Sequence, residues 1–89
     1  MVIDQGVARA LNEGKSLLPA GIIKIEGTFE KGENIIIVDE NEKSLARGLS
    51  SFRSSEINKI KGKQSKEIEN ILGYLSKSEI IHKDDMVKL

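Results

Sequence analysis

The sequence contains no cysteine and no tryptophan, and only one proline among its 89 residues. The absence of cysteine excludes disulfides, thiolate zinc sites and cysteine nucleophiles, and it fits a reducing cytoplasm. Aromatic residues are also few, since Phe29, Phe52 and Tyr74 make up 3% of the chain. We therefore expect an aliphatic core built chiefly from isoleucine, leucine and valine.

The chain also lacks net charge, because 14 basic residues balance 14 acidic ones. A neutral chain attracts nucleic acid or an anionic membrane only weakly, so binding to either would need a local patch. No apolar run approaches the roughly 20 residues that span a bilayer, and the first six residues lack the basic and apolar blocks of a signal peptide. These absences predict a cytoplasmic protein that does not enter a membrane.

The residues that are present are sufficient for one small core. The composition is 38% hydrophobic and 31% charged, which is typical of globular rather than disordered chains. A chain of this length buries roughly 60 to 65% of its unfolded surface, which allows a single core. We expect one domain over residues 1–89, without an internal repeat or a low-complexity linker.

Short helices and strands alternate in the hydrophobic pattern. Asp4 is placed to cap a helix that runs to about Glu13, and Gly14 is placed to end it. Serine caps at 54 or 55 and at 65 predict two more short helices, the second ending at Gly73. Strands are predicted at 22–27, 34–38 and 44–49, with the apolar stretch 34–38 as a buried strand, and two strand fragments at 80–81 and 86–87.

This order of elements indicates the fold class. Short strands joined by tight turns, with short helices between them, are typical of an α+β domain that is mainly β. We expect a small barrel or a curled sheet with flanking helices.

His82 is the only histidine, and it lies beside Asp84 and Asp85 in a predicted turn. These residue types could form a metal site or an acid/base pair. A third strong ligand of known position is missing, however, and aspartate is common in turns because of its local hydrogen bonds. We therefore predict neither a metal nor a catalytic site here.

Gly14, Lys15 and Ser16 resemble the end of a phosphate-binding loop. That motif needs a glycine five residues before the Gly-Lys pair, between a strand and a helix, whereas position 9 is arginine and a helix precedes the loop. A helix end with Lys15 near its last carbonyls is the simpler interpretation. Contact between this loop and a ligand phosphate stays open.

A second candidate site is a local basic cluster, and the cluster contains Lys59, Lys61, Lys63 and Lys66. Such a cluster could follow a nucleic-acid backbone, although it lacks aromatic residues for base stacking, and solvated surface is the simpler interpretation. Arg47 is a separate candidate, because it lies in an otherwise apolar strand. It needs either an exit to solvent or a carboxylate partner, since an unpaired buried charge is costly.

Several motifs follow one another along nearly the whole chain. The most specific are Gly14-Lys15-Ser16-Leu17-Leu18-Pro19-Ala20-Gly21, Ile71-Leu72-Gly73-Tyr74 and Ile81-His82-Lys83-Asp84; the others are Glu26-Gly27-Thr28-Phe29 and Ala46-Arg47-Gly48-Leu49. In their order and spacing these motifs resemble the C-terminal PUA domain of bacterial glutamate 5-kinases. The resemblance implies a PUA-like pseudo-barrel of mixed strands with flanking short helices. It also implies an accessory domain of a proline-biosynthesis enzyme, with a regulatory or assembly role.

The resemblance further implies which parts of the enzyme do the chemistry. In this family a separate kinase domain precedes the PUA domain, and it transfers phosphate from ATP, with magnesium, to the side-chain carboxylate of glutamate. We therefore expect no catalytic residue and no cofactor in this domain, and we expect the kinase domain as its partner, with oligomers formed through the whole enzyme.

RNA is the alternative partner, because other PUA domains bind it. The resemblance would place that contact on the first helix, the loop after it and the last strand, at Arg9, Gly14, Lys15, Ser16, Gly21 and Lys88. The candidate binding residues are therefore this set together with Arg47 and the basic cluster.

Overall fold

The computed structural model of the protein describes residues 1–74 and 77–89. The strands are β1 (Val2–Ile3), β2 (Ile22–Lys24), β3 (Asn34–Val38), β4 (Ser44–Leu49) and β5 (Met86–Lys88). The helices are α1 (Gln5–Asn12), α2 (Ser54–Ile60) and α3 (Ile68–Leu72). Single turns of 3-10 helix lie at Pro19–Gly21, Ser65–Glu67 and Lys83–Asp85.

The five strands form one mixed sheet in the order β2-β1-β3-β4-β5. β1 is parallel to β3 and antiparallel to β2, and β4 is antiparallel to both β3 and β5. The expected α+β class, mainly β, is confirmed by this sheet and its short helices. The predicted strand fragment at 80–81 is wrong in part, because Ile81 forms only an isolated bridge to Leu17.

β1 is a strand that the sequence pattern does not reveal. It has two residues, yet it lies between β2 and β3, with Ile3 opposite Ile22 and Val2 opposite Val38. Ile3 is fully buried. Two residues are too few for a period-2 pattern to be recognised, so only the pairing identifies this strand.

The prediction that β3 is a buried strand is wrong for one of its faces. Ile35 and Ile37 are buried, whereas 53% of Ile36 is exposed. Side chains alternate between the two faces of a strand, and only one face of this sheet is covered by the core. The run of three isoleucines conceals this alternation because all three residues are equally apolar.

The predicted boundaries of α1 are confirmed. A carboxylate oxygen of Asp4 accepts a hydrogen bond of 2.8 Å from the Val7 amide, which satisfies one free donor of the first turn. Gly14 follows the helix with a φ of 83°, a left-handed conformation that favours glycine. Lys15 and Ser16 therefore begin a connecting loop, which agrees with the helix-end interpretation of this motif.

The predicted serine caps, Ser54 or Ser55 for the first of these helices and Ser65 for the second, are wrong, because the cap position lies before Ser54 and before Ser65. Arg53 precedes α2, and its amide donates to Glu56 at 3.1 Å; Gln64 precedes the next turn, and its amide donates to Glu67 at 2.9 Å. Ser54 instead lies buried, where its hydroxyl bonds the backbone N–H and C=O of Phe29. The Ser54 hydroxyl thus binds the backbone of a distant segment at Phe29 instead of the amides of its own helix.

One aliphatic core lies between the inner face of the sheet and the helices, as the composition predicts. Both phenylalanines belong to it, and fully burying each large apolar side chain contributes roughly 1.5 to 3 kcal/mol. Its buried members are Met1, Ile3, Leu11, Leu17, Ile22, Phe29, Ile35, Ile37, Ala46, Phe52, Ile57, Ile60, Ile68, Ile80 and Ile81.

Candidate functional site

A groove of about 150 Å³ lies between α1 and the neighbouring ends of β4 and β5; we call it the α1 groove. One wall carries Leu11 and Asn12 from the helix, and the other carries Lys43, Lys88 and Leu89 among its residues. The ammonium of Lys88 donates a hydrogen bond of 2.6 Å to the carbonyl oxygen of Asn12. This bond joins β5 to the C-terminal end of α1, where a cation is electrostatically favoured.

A smaller hollow of about 50 Å³ adjoins this groove and shares Leu11 and Lys88 with it, and we include the hollow in the α1 groove from here on. Its lining adds Gly14 and Lys83. The two hollows together have three lysines at their walls, so the surface can attract an anion, with apolar contact from Leu11 at its base.

The structure brings only some of the predicted RNA-contact residues to this groove. Gly14 and Lys88 line it, whereas Arg9 is exposed on α1. Lys15 is exposed and lies 3.8 Å from a carboxylate oxygen of Glu13, and Ser16 accepts a hydrogen bond of 2.8 Å from the Lys83 amide. The loop of Lys15 and Ser16 is therefore tied to the turn before β5 beside the groove.

Gly21 has a structural role that accounts for its lack of a side chain. It is buried, and its carbonyl oxygen accepts a hydrogen bond of 2.9 Å from the Asp4 amide. A Cβ at this position would lie 1.7 Å from Cγ2 of Val7. Gly21 therefore allows α1 to pack closely on the turn at residues 19–21.

The basic cluster lies on other elements than the α1 groove. Lys59 belongs to α2 and Lys61 follows it, with its ammonium 3.2 Å from the side-chain oxygen of Asn58. Lys63 and Lys66 are exposed in the connection to α3. The structure therefore places the predicted cationic residues on different elements: Lys88 at the α1 groove, Arg47 on β4, and the basic cluster on α2 and the connection to α3.

Arg47 has the solvent exit that the sequence requires of it. It stands in the central part of β4, opposite Ile36 of β3 and opposite Val87 of β5. Ile36 and Val87 are 53% and 57% exposed, and Leu49 is 46% exposed two residues along the same face. We call this surface of Ile36, Arg47, Leu49 and Val87 the outer face.

A shallow hollow of about 210 Å³ lies on the outer face, with Asn34 and Asp85 at its border. Asp85 and Arg47 both line it, but no ion pair within 4.0 Å joins any described carboxylate to Arg47. The outer face thus combines three exposed apolar side chains with an exposed arginine that has no ion pair among the described residues.

His82 acts as a local cap in the turn before β5. Its Nδ1 accepts a hydrogen bond of 3.1 Å from the Asp84 amide and lies 3.5 Å from an Asp84 carboxylate oxygen. Across residues 1–74 and 77–89, no three His, Cys, Asp or Glu residues lie close enough to hold a metal ion. In the same part of the chain, no helix is long and apolar enough to cross a membrane.

Lys43 and Lys83 line the groove although sequence reasoning did not select them. Lys43 lies in the polar turn between β3 and β4, and Lys83 in the turn before β5. The turn of Lys83 is held beside the loop after α1 because its amide donates a hydrogen bond to the Ser16 hydroxyl, 67 positions earlier. A contact over this distance leaves no local signal in the sequence, so sequence reasoning could not have found these lysines.

Comparison with known proteins identifies the fold and the relatives. The family model of the PUA domain matches residues 1–72. A PUA domain from Aeropyrum pernix, solved as a tartrate complex, superposes with a TM-score of 0.66 at 21% identity, covering 91% of this chain and 39% of that one. A PUA domain protein from Thermoplasma acidophilum gives a TM-score of 0.61 at 18% identity, covering 91% and 46%.

Among curated proteins, the chain is similar to glutamate 5-kinases. The enzyme of Pelagibacter ubique is 58% identical over 89 residues, which are 100% of this chain and 24% of the relative. That of Bartonella henselae is 49% identical over 87 residues, 98% of this chain and 23% of the relative. The chain thus spans about a quarter of the length of these relatives, and the matched quarter is their C-terminal PUA domain.

Proposed function

Because this chain belongs to the PUA family and matches the C-terminal PUA domain of glutamate 5-kinases, we propose that it is the accessory domain of such an enzyme. Its role is to support the assembly or the regulation of the kinase. Phosphate transfer from ATP to the side-chain carboxylate of glutamate, in cytoplasmic proline biosynthesis, belongs to the kinase domain.

The observation that carries this proposal is the 58% identity that extends over all 89 residues while covering only 24% of the Pelagibacter enzyme. ATP and magnesium are assigned to the kinase domain for the same reason. In the described part of the domain, the candidate binding surfaces are the α1 groove and the outer face, and neither combines a nucleophile, a base and an oxyanion site.

The proposal is tested with a chimera of the Pelagibacter kinase. In one version this chain replaces the enzyme's own PUA domain, and in the other that domain is deleted. We expect the chimera to retain the parent's oligomeric state, metal dependence and inhibition by proline, and the deletion to change at least one of them. If chimera and deletion behave alike in all three, the accessory role is wrong.

The α1 groove supports RNA binding as a second candidate function. Its three lysines can contact phosphates, whereas the neutral net charge disfavours tight non-specific binding. Fluorescence anisotropy with structured RNA across a salt series tests this. RNA binding through the groove requires Lys83→Glu to weaken the affinity more than Lys63→Glu, and equal effects would assign any binding to non-specific charge.

A further inference from the structure

The outer face is more apolar than a solvated sheet surface requires. Ile36, Leu49 and Val87 expose about half of each side chain, and the strand register places Ile36 and Val87 on either side of Arg47. Antiparallel sheets that face water usually alternate apolar residues inside with polar residues outside. Exposed apolar residues grouped around one polar side chain are typical of surfaces that contact a partner.

Arg47 specifies the charge that such a partner must bring. No hydrogen bond or ion pair with the described residues holds its guanidinium, although Asp85 lies at the border of the same hollow. The planar guanidinium matches a carboxylate with two parallel hydrogen bonds, and apolar surroundings strengthen that pairing by excluding water. The chemistry fits an apolar surface with a carboxylate near its centre.

The start of β1 indicates where such a partner lies. The amine of Met1 donates a hydrogen bond of 2.9 Å to the carbonyl oxygen of Ile36, and Val2 stands opposite Val38 in the parallel register. If a longer kinase chain extends β1 before Met1, the preceding residue lies two positions before Val2 and therefore opposite Ile36, which lies two positions before Val38. Side chains two positions apart along a strand point to the same face, and paired residues of neighbouring strands do so too. That residue would therefore lie beside the outer face.

We propose that the outer face docks on the kinase part of a glutamate 5-kinase, and that Arg47 pairs there with a carboxylate of that part. The inference rests on the proposed function, because it takes the kinase part as the partner.

The test uses the chimeric kinase with a specific protease site placed just before Met1. After cleavage, the dissociation constant between the kinase part and the 89-residue chain is measured by titration. We expect Arg47→Glu to raise this constant at least tenfold, which corresponds to about 1.4 kcal/mol. The double substitution Ile36→Lys and Val87→Lys should do the same, and Arg47→Lys should have a smaller effect because it keeps the charge.

The matched control is Lys31→Glu, which reverses an exposed charge in the turn between β2 and β3. It should leave the dissociation constant within twofold of the original. Circular dichroism and thermal unfolding of each variant establish that the fold is retained. Loss of affinity in Arg47→Glu with an unchanged fold therefore supports the docking proposal.

Three outcomes would overturn it. The first is that the original chain has no measurable affinity for the cleaved kinase part, and the second is that Arg47→Glu and the double variant bind within twofold of the original. The third is self-association of the isolated chain in sedimentation experiments that is lost on Ile36→Lys, which would assign the face to a second copy. The uncleaved chimera tests the accessory role independently, so failure of docking and failure of the proposed function are distinguishable.

Discussion

The α1 groove and the outer face differ in how their positive charges are held. In the groove, the Lys88 ammonium is bonded to the Asn12 carbonyl at the end of α1, so this cation contributes to the fold. On the outer face, Arg47 has no such partner among the described residues and stands between exposed Ile36 and Val87. A charge with an internal partner is already engaged, whereas an exposed charge without one keeps its hydrogen-bond donors available to a partner.

β4 contributes to both surfaces, which makes it the element that relates them. Ser44 and Leu45 line the α1 groove, and Arg47 and Leu49 lie on the outer face. Both surfaces also depend on the pairing of β4 with β5. Substitutions that disturb this pairing should therefore alter both surfaces. Substitutions confined to the α1 groove or to the outer face should alter that surface alone.

The largest effect is expected from Gly48→Ala, where β4 meets β5. A Cβ there would lie 2.6 Å from the carbonyl oxygen of Asp85 and 2.8 Å from Cγ2 of Ile81. Because one of these atoms belongs to the backbone, relief requires a strand to move, and we expect a loss of about 2 to 4 kcal/mol in unfolding free energy. Urea denaturation measures it.

The matched control for Gly48→Ala is Gly6→Ala in α1, where the nearest atom to the new Cβ would be 3.5 Å away. Alanine is favoured over glycine within a helix, so this variant should be neutral or more stable by up to about 1 kcal/mol. Equal stability of the two variants would contradict the assigned contact between β4 and β5.

The next effect should fall on the groove side alone. Gly21→Ala would place its Cβ 1.7 Å from Cγ2 of Val7, so α1 must shift relative to the turn at residues 19–21. We expect a loss of about 1 to 3 kcal/mol, with amide chemical-shift changes in α1 and around Lys88 and little change at Arg47. Adding Val7→Ala should restore part of the stability; no recovery would refute the contact.

How far the sequence predicts these features depends on the range of the interactions involved. The limits of α1 follow from Asp4 and Gly14, whose effects act within one helical turn. The serine caps failed because Ser54 bonds Phe29, 25 positions earlier in the chain. Local chemistry cannot distinguish a serine that caps a helix from one that joins two segments.

The candidate surfaces show the same division. The sequence predicts that Arg47 reaches solvent or pairs with a carboxylate, because it is a charged residue in an otherwise apolar strand. The exposure of Arg47 agrees with the first of these alternatives. The alternation that exposes Ile36 is invisible in a run of three isoleucines, and the approach of Lys43 and Lys83 to α1 requires knowledge of the strand order. The family resemblance supplied the fold, whereas the surfaces needed the tertiary structure.

Replacing the two contrasted cations by methionine tests the comparison directly. Lys88→Met removes the bond to Asn12 and should lower the unfolding free energy by up to about 1 kcal/mol, because an exposed charged hydrogen bond contributes little more. Arg47→Met removes no internal bond and should leave the isolated chain unchanged within about 0.5 kcal/mol. Chemical denaturation of both variants, with Lys24→Met as the control, measures these losses of unfolding free energy. A larger loss for Arg47→Met than for Lys88→Met would mean that Arg47, and not Lys88, is the cation that stabilises the fold.

The smallest effect concerns the Met1 amine, which bonds Ile36 at the edge of the outer face. Burial lowers its pKa below the usual 8.0, and the nearby carboxylate of Glu26 opposes part of that shift. Between the lowered value and 8.0 the unfolded chain binds more protons than the folded one, so stability should rise with pH through this window and fall as the amine is protonated. This is tested by measuring denaturation midpoints from pH 6 to pH 9 for the chain and for an N-terminally acetylated chain, which has no titrating amine. If the midpoint changes equally with pH in both chains, the pH dependence comes from other groups.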